Sequence, residues 1–280
     1  MAIDREALPG VAGSDLSTNP AETYERYMVP PLFAPSAEHL LAVAQMCPGE
    51  RVLDVGTGTG IVARLAAAQI GASGSVTGLD PSPNMLAVAR DRGAQEGVVI
   101  DWIEGTAETL PFPDQHFDLA LSQFALMFFT DKATALAEMR RVLVRGGRVA
   151  LQVFQSIDRH PFYQALDGAI SRRLGTSAVG DIFALGDAAG LRHSLARAGF
   201  EDVAIEPFQV TARFPDPEAF LAGEIDVDTA AIPAMQTLDA AARRDLVAAL
   251  QVDMAEPLRA VTDGDAVLMP FHTFVVLAHR

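Results

Sequence analysis

Two carboxylates and a run of glycines are the residues most able to do chemistry in this chain. Asp54 lies in an apolar run that leads straight into Gly56, Thr57, Gly58, Thr59 and Gly60, and Asp80 closes the next apolar run with Pro81 after it. Glycines at alternate positions accept backbone angles barred to other residues and let a ligand approach the main chain. A strand, a glycine turn and a helix N-terminus form a small-molecule site at the carboxyl end of a parallel strand. Asp80 stands where an acid about 20 residues past such a turn accepts hydrogen bonds from vicinal ribose hydroxyls. A dinucleotide site would want G-x-G-x-x-G and no nearby anion. Here the spacing is G-x-G-x-G, Ile61 takes the place of the third glycine, and Asp54 would repel a diphosphate while suiting an ammonium group. These residues favour a ligand with a cationic end over NAD.

The elements that must position them alternate regularly. Apolar runs at 51–55, 75–79, about 98–103, 117–122 and 148–154 read as strands. Between them, helical patterns start at Ile61, at Ser82-Pro83 and at about Lys132, the last stopped by Gly146-Gly147. This rhythm predicts a parallel sheet with helices on both faces. Ahead of it, residues 1–17 read as a loose arm, Asn19-Pro20 opens a helix to about Met28 with Tyr24 and Tyr27 on one face, and Pro30-Pro31 ends it before a second helix at 36–46. After 155 the pattern predicts helices at 161–174 and 187–198, a long strand at 202–214, mostly helix over 216–259 with Leu246, Val247, Leu250 and Met254 on one stripe, and a last strand at 266–278.

In order and spacing, VLDVGTGTG (52–60), VTGLDPSPNMLAVAR (76–90), EGTAETLPFPDQHFDLALSQFAL (104–126) and EMRRVLVRGGRVAL (138–151) resemble the class I S-adenosylmethionine-dependent methyltransferases, and among them the ubiquinone/menaquinone-biosynthesis type of small-molecule enzyme. The likeness covers roughly 50–155, and FALGDAAGLRHSLARAGFEDVAIEPF (183–208) extends it. It implies a doubly wound, Rossmann-like α/β sheet of seven strands, parallel except for an antiparallel last strand. The implied organisation is an arm and cap helices over 1–46, a cofactor-binding core over 47–215, a helical lid over 216–262 and a last core strand over 263–280.

The resemblance also implies roles. Asp54, Gly56, Thr57, Gly58 and Gly60 would meet the amino-acid end of S-adenosylmethionine, Asp80 with Pro81 the ribose, and Met85 would pack on the adenine. Thr106 replaces the aspartate that usually accepts the adenine amino group, which leaves the Ala107 N–H as the sturdier contact. Gln123 would lie near the amino-acid end or the sulfonium, with Tyr24 and Tyr27 closing over the methionine part. Phe124, Met127 and Phe128 would divide between substrate wall and core. Methyl transfer is an in-line displacement, so alignment supplies much of the catalysis and a general base is optional. His160, in the loop after strand five beside Asp158 and Tyr163, is the best-placed candidate base, though loop histidines are usually solvated, and His272 ranks below it. Glu224, Asp226 and Asp228 form an acidic cluster in the lid, which reads as a solvated face or as a means of orienting a polar or cationic substrate.

Composition narrows the field. With 280 residues the chain can bury a full core, and half of them are apolar. A net charge of −15 with no basic run argues against nucleic acid. A single cysteine, Cys47, excludes an internal disulfide and a thiolate metal cluster, so no metal is expected. The N-terminus has no basic region followed by an apolar block, and the longest apolar run, 119–129, is too short to span a bilayer, so a cytoplasmic enzyme is expected. An apolar lid face would serve a homodimer equally well. Two other readings stay open: an NAD-dependent oxidoreductase, and a nucleoside-binding protein without turnover. The methyl acceptor is expected to be a small organic molecule.

Overall fold

The computed structural model describes residues 19–175, 177, 179–231 and 238–280, without the side chains of 226–231. The expected arm over 1–17 and the acids Asp226 and Asp228 lie outside the described residues and side chains.

Five parallel strands are laid down first: β1 (Arg51–Val55), β2 (Ser75–Asp80), β3 (Asp101–Glu104), β4 (Phe117–Gln123) and β5 (Leu143–Phe154). Val52, Leu53, Val55, Leu119, Ala120 and Leu121 are fully buried, as strands covered on both faces require. Helices α3 (Ile61–Ile70), α4 (Pro83–Glu96) and α5 (Lys132–Val142) connect them. Ser82 and Asp131 cap α4 and α5 through their side chains, whereas α3 starts at Gly60 with no side-chain cap from that position. Then come α6 (Pro161–Leu174), α7 (Ala188–Arg197), β6 (Glu201–Pro215), α8 (Pro217–Ala231), α9 (Ala240–Asp253), α10 (Ala255–Val261), the two-residue β7 (Thr262–Asp263) and β8 (Ala266–His279).

The sheet order is β3-β2-β1-β4-β5-β8-β6, with β7 paired to β8. The fold is thus a doubly wound α/β sheet of seven main strands. β8 runs antiparallel to both neighbours and lies between β5 and β6, so β6 forms the edge. The chain leaves β1 toward β2 and β3, then returns to lay β4 on the other side. A crevice opens at the carboxyl ends of β1 and β4, where strand order reverses.

Three boundaries differ from the sequence expectation, each for a local reason. Pro30-Pro31 does not separate two helices: α1 (Pro20–Tyr27) passes through a π-helical turn at Val29–Phe33 directly into α2 (Ala34–Ala44), because the two prolines sit in its first turn, where an N–H is not needed. β3 begins at Asp101 instead of 98, since Gly97 and Val98 are spent closing the end of α4 onto the carbonyls of Ala94 and Gly93. Gly146-Gly147 lie inside β5, which starts at Leu143; the pairing with β4 slips by several residues there, so the glycines form a bulge.

Candidate active site

The turn after β1 is fastened to the end of β2: the N–H groups of Gly56 and Thr57 donate to the Leu79 carbonyl at 2.8 and 3.0 Å. Its glycines do different jobs. Gly58, at φ +56°, has open space where a side chain would stand. Gly60 is pressed by the ring of Trp102, which would come within 2.5 Å of an added Cβ, and Gly78 on β2 is pressed in the same way at 2.6 Å. Gly60 therefore makes room for a tryptophan beneath the site and does not line the cavity.

Asp80 lies at the mouth of the crevice. The Gly58 N–H donates to its Oδ2 at 2.8 Å and the Ser82 N–H to its Oδ1 at 2.9 Å, so backbone fixes the carboxylate and each oxygen keeps a lone pair. Burial raises its pKa, against the lowering effect of those two N–H groups. Asp54 takes a different position from the one expected. It is 1% exposed, stands behind the turn and does not line the cavity. Thr57 Oγ1 donates to its Oδ2 at 2.5 Å and the Ala63 N–H bonds to it as well, so Asp54 ties down the first turn of α3 that Gly60 cannot cap. Burial lifts its pKa to about 7, with Asp80 adding to the rise.

Around this crevice the structure encloses a cavity of about 400 Å³, within the range of small-molecule sites. Of the residues expected to bind, it brings together Tyr24, Gly56, Gly58, Asp80, Pro81, Met85 and Gln123. Thr57, Thr106 and Ala107 are outside the wall, Thr106 being exposed and Ala107 buried. Tyr24 and Tyr27 part company: Tyr24 stacks on Phe33 at 5.0 Å inside the cavity, whereas Tyr27 donates its hydroxyl to the Phe220 carbonyl at 3.2 Å and leans on Phe214. Tyr27 joins α1 to α8. The Tyr24 phenol stays protonated, since burial, then the charges of Asp80, Glu25 and Asp54, push its pKa above the ordinary range.

Gln123, ending β4, gives its amide nitrogen to the Phe33 carbonyl at 3.3 Å and to Gln152 Oε1 at 3.1 Å. Next to it Phe124 holds φ +49°, a strained conformation for a bulky side chain that costs on the order of 1 kcal/mol. Its ring stacks on Phe154 at 4.2 Å, and Phe33 lies 5.6 Å away. Phe128 also lines the cavity, while Met127 packs in the core.

His160 departs from its expected role as a base. It is 2% exposed, outside the cavity wall, and both ring nitrogens are occupied. The His272 N–H donates to Nε2 at 3.0 Å, which leaves Nδ1 to donate to the Ser156 carbonyl at 3.2 Å. Burial, against the Ser156 bond, lowers its pKa to about 4. A neutral imidazole with both nitrogens bound to backbone fastens the loop after β5 to β8 and has no atom free to take a proton.

Sequence reasoning missed the aromatic side of the cavity. Phe154, Phe183 and Phe271 come from β5, a short turn and β8, which no local pattern links. Glu224 is a wall residue and not a solvated one: it is 3% exposed, accepts from the Tyr163 hydroxyl at 2.8 Å, and burial raises its pKa to about 7. Its signal was present in the sequence, since Phe220, Leu221 and Ile225 place it within a buried helical stripe. Among the described residues, the wall carries two carboxylates and no Lys, Arg or His. No helix there is long and apolar enough to cross a membrane, and no three ligating side chains are grouped to hold a metal ion.

This sheet order, with a backbone-held acid after β2 and a glycine turn after β1, is a Rossmann-like fold shared with methyltransferases of known structure. Residues 53–151 match the family described as "Methyltransferase domain", and the chain carries such a domain. It is similar to the ubiquinone/menaquinone biosynthesis C-methyltransferase UbiE of Xanthomonas axonopodis, 42% identical over 142 residues that make up 49% of this chain and 56% of the relative. The chain thus spans little more than half the length of the curated relatives it matches. Among solved structures it is similar to the YcgJ protein of Bacillus subtilis, with a TM-score of 0.59 and 19% identity over 88% of this chain and 98% of that one. It is also similar to phosphoethanolamine N-methyltransferase 2 of Haemonchus contortus in complex with S-adenosyl-L-methionine, with a TM-score of 0.59 and 20% identity over 96% of this chain and 58% of that one.

Proposed function

We propose that this chain transfers the methyl group of S-adenosylmethionine to O, N or C of a small organic molecule. The observation that carries the reading is the backbone-fixed Asp80 at the mouth of a cavity whose described wall contains no cation. Such a wall suits a nucleoside with a positive centre and opposes a diphosphate, which counts against the NAD reading. When bound, the cofactor supplies a methyl group activated by a sulfonium.

The residues divide the remaining work. Asp80 accepts from the two ribose hydroxyls, Pro81 and Met85 pack against the base, and the open face of Gly58 admits the ligand to the main chain. Gln123, its amide nitrogen already engaged, offers its amide oxygen to the amino-acid end. Asp54 holds the turn from behind through Thr57 and the first turn of α3. Tyr24, Phe33 and Phe124 enclose the positive centre, where stripping water from a cation over aromatic faces strengthens the attraction. Residues 216–262 act as a lid, joined to α1 through Tyr27, and the helices within 20–44 cover the crevice.

Purified protein incubated with methyl-labelled S-adenosylmethionine and a fractionated metabolite extract should transfer label to a low-molecular-weight product. Absence of transfer into every fraction by protein shown to bind the cofactor would contradict turnover.

A further inference from the structure

The charge that the cofactor reading leaves unused is Glu224. It reaches the cavity from α8 and its Oε1 is buried without a hydrogen-bond partner, while Oε2 accepts from Tyr163 on α6. A buried polar atom left unsatisfied costs about 1–3 kcal/mol, more when charged, so a carboxylate kept in this state calls for a donor that arrives with the ligand. Around it, Tyr163 and Phe183 lie 5.6 Å apart, Tyr163 and Phe271 5.4 Å apart, and Phe154 and Phe183 5.5 Å apart, giving an aromatic enclosure that prefers a flat or apolar body. A buried acid beside aromatic faces, with no cation in the described wall, favours a positively charged ligand group and opposes an anionic one.

We infer that Glu224 binds the methyl acceptor through Oε1, that Tyr163 is its positioning residue, and that the acceptor is a primary or secondary amine on an aromatic or apolar body. This rests on the methyltransferase reading of the same cavity. The amine enters as an ammonium paired with the carboxylate. One N–H proton passes to Oε1, and the electron pair of that bond stays on nitrogen. Nitrogen forms its new bond to the methyl carbon, the carbon–sulfur bond breaks with its pair left on sulfur, and the N-methyl product leaves as an ammonium. The proton on Glu224 returns to water.

The full chain would be titrated calorimetrically with S-adenosylhomocysteine, and the loaded protein then with benzylamine, benzyl alcohol and benzoate. Benzylamine is expected to bind at least tenfold more tightly than benzyl alcohol, with benzoate showing no heat. Glu224→Gln, close in shape, should weaken benzylamine at least tenfold, leave benzyl alcohol within threefold, and leave S-adenosylhomocysteine unchanged. Tyr163→Phe should weaken benzylamine less than Glu224→Gln does while leaving benzyl alcohol within threefold, a selective loss that a purely structural defect would not produce. Equal benzylamine affinity in wild type and Glu224→Gln, no benzylamine binding at millimolar concentration to loaded protein, or benzoate binding as tightly as benzylamine would each overturn the inference. Failure of wild type to bind S-adenosylhomocysteine at all would instead remove the reading beneath it.

Discussion

The two edges of the sheet treat their acids in opposite ways. At the amino edge every prominent carboxylate has an arginine. Arg148 reaches Glu50 through two nitrogens at 2.7 and 2.9 Å and also donates to the carbonyls of Ala44 and Gln45 at the end of α2. Arg51 bonds Asp118 at 3.2 Å through two nitrogens and at 2.8 Å through its backbone N–H. Burial there opposes ionisation, but the arginines and N–H groups outweigh it, and both acids titrate below their ordinary range. At the carboxyl edge Asp54, Asp80 and Glu224 are more deeply buried, have no arginine partner among the described residues, and titrate above it. Both edges form recesses lined with acids, yet only one leaves its negative charge uncompensated. Paired acids hold a fold together, and the two unpaired acids that line the cavity, Asp80 and Glu224, suit a cationic ligand.

Breaking the amino edge should cost stability and nothing else. Arg148→Ala strands Glu50 and two helix-end carbonyls, and we expect a loss of about 3 kcal/mol in denaturant unfolding with S-adenosylhomocysteine affinity within twofold of wild type. A large loss of affinity would show that the edges are not independent.

Within the carboxyl edge, scaffold and contact can be separated by two glycines. Gly78→Ala drives a methyl group into Trp102 and should destabilise by about 2 kcal/mol in the same assay. Gly58→Ala meets no neighbour, so its smaller stability cost, about 1 kcal/mol from φ +56°, should come with weakened ligand binding.

The comparison sharpens further at Asp54. Its carboxyl, raised by burial to about 7 from the ordinary value of 3.8, keeps a proton in the folded state that the unfolded chain has already lost. More protons bound when folded means that this group's contribution to stability falls as pH rises from about 4 through 7. Asp54→Asn should therefore unfold at a higher temperature than wild type at pH 8.5, by the equivalent of about 4 kcal/mol, and the gain should vanish below about pH 4. A variant less stable than wild type at pH 8.5 would show that Asp54 is held as an effective structural anion, like the acids of the amino edge.

Much of this is legible in the amino-acid order alone. The strand and helix rhythm and the placing of Asp80 follow from local patterns that each fit within about 30 residues. What stays hidden depends on contacts between distant segments. Nothing near Asp54 in sequence says that Thr57 and Ala63 will turn its carboxylate inward. His160 resembles a base because it follows β5, but its fate is set by a backbone N–H 112 residues away on β8. Phe154, Phe183 and Phe271 meet only because β8 inserts beside β5. Glu224 is the instructive miss: an acid in line with Phe220 and Ile225 on one helix face is a buried acid, whatever cluster surrounds it.

The central claim is that Asp80 recognises a nucleoside with a positive centre while the paired acids of the opposite edge do not. Calorimetric titration of S-adenosylhomocysteine into wild type, Asp80→Ala and Arg148→Ala tests it directly. The account predicts micromolar binding to wild type, at least a hundredfold loss in Asp80→Ala with its melting temperature kept, and no loss in Arg148→Ala. Binding to Asp80→Ala indistinguishable from wild type would contradict it.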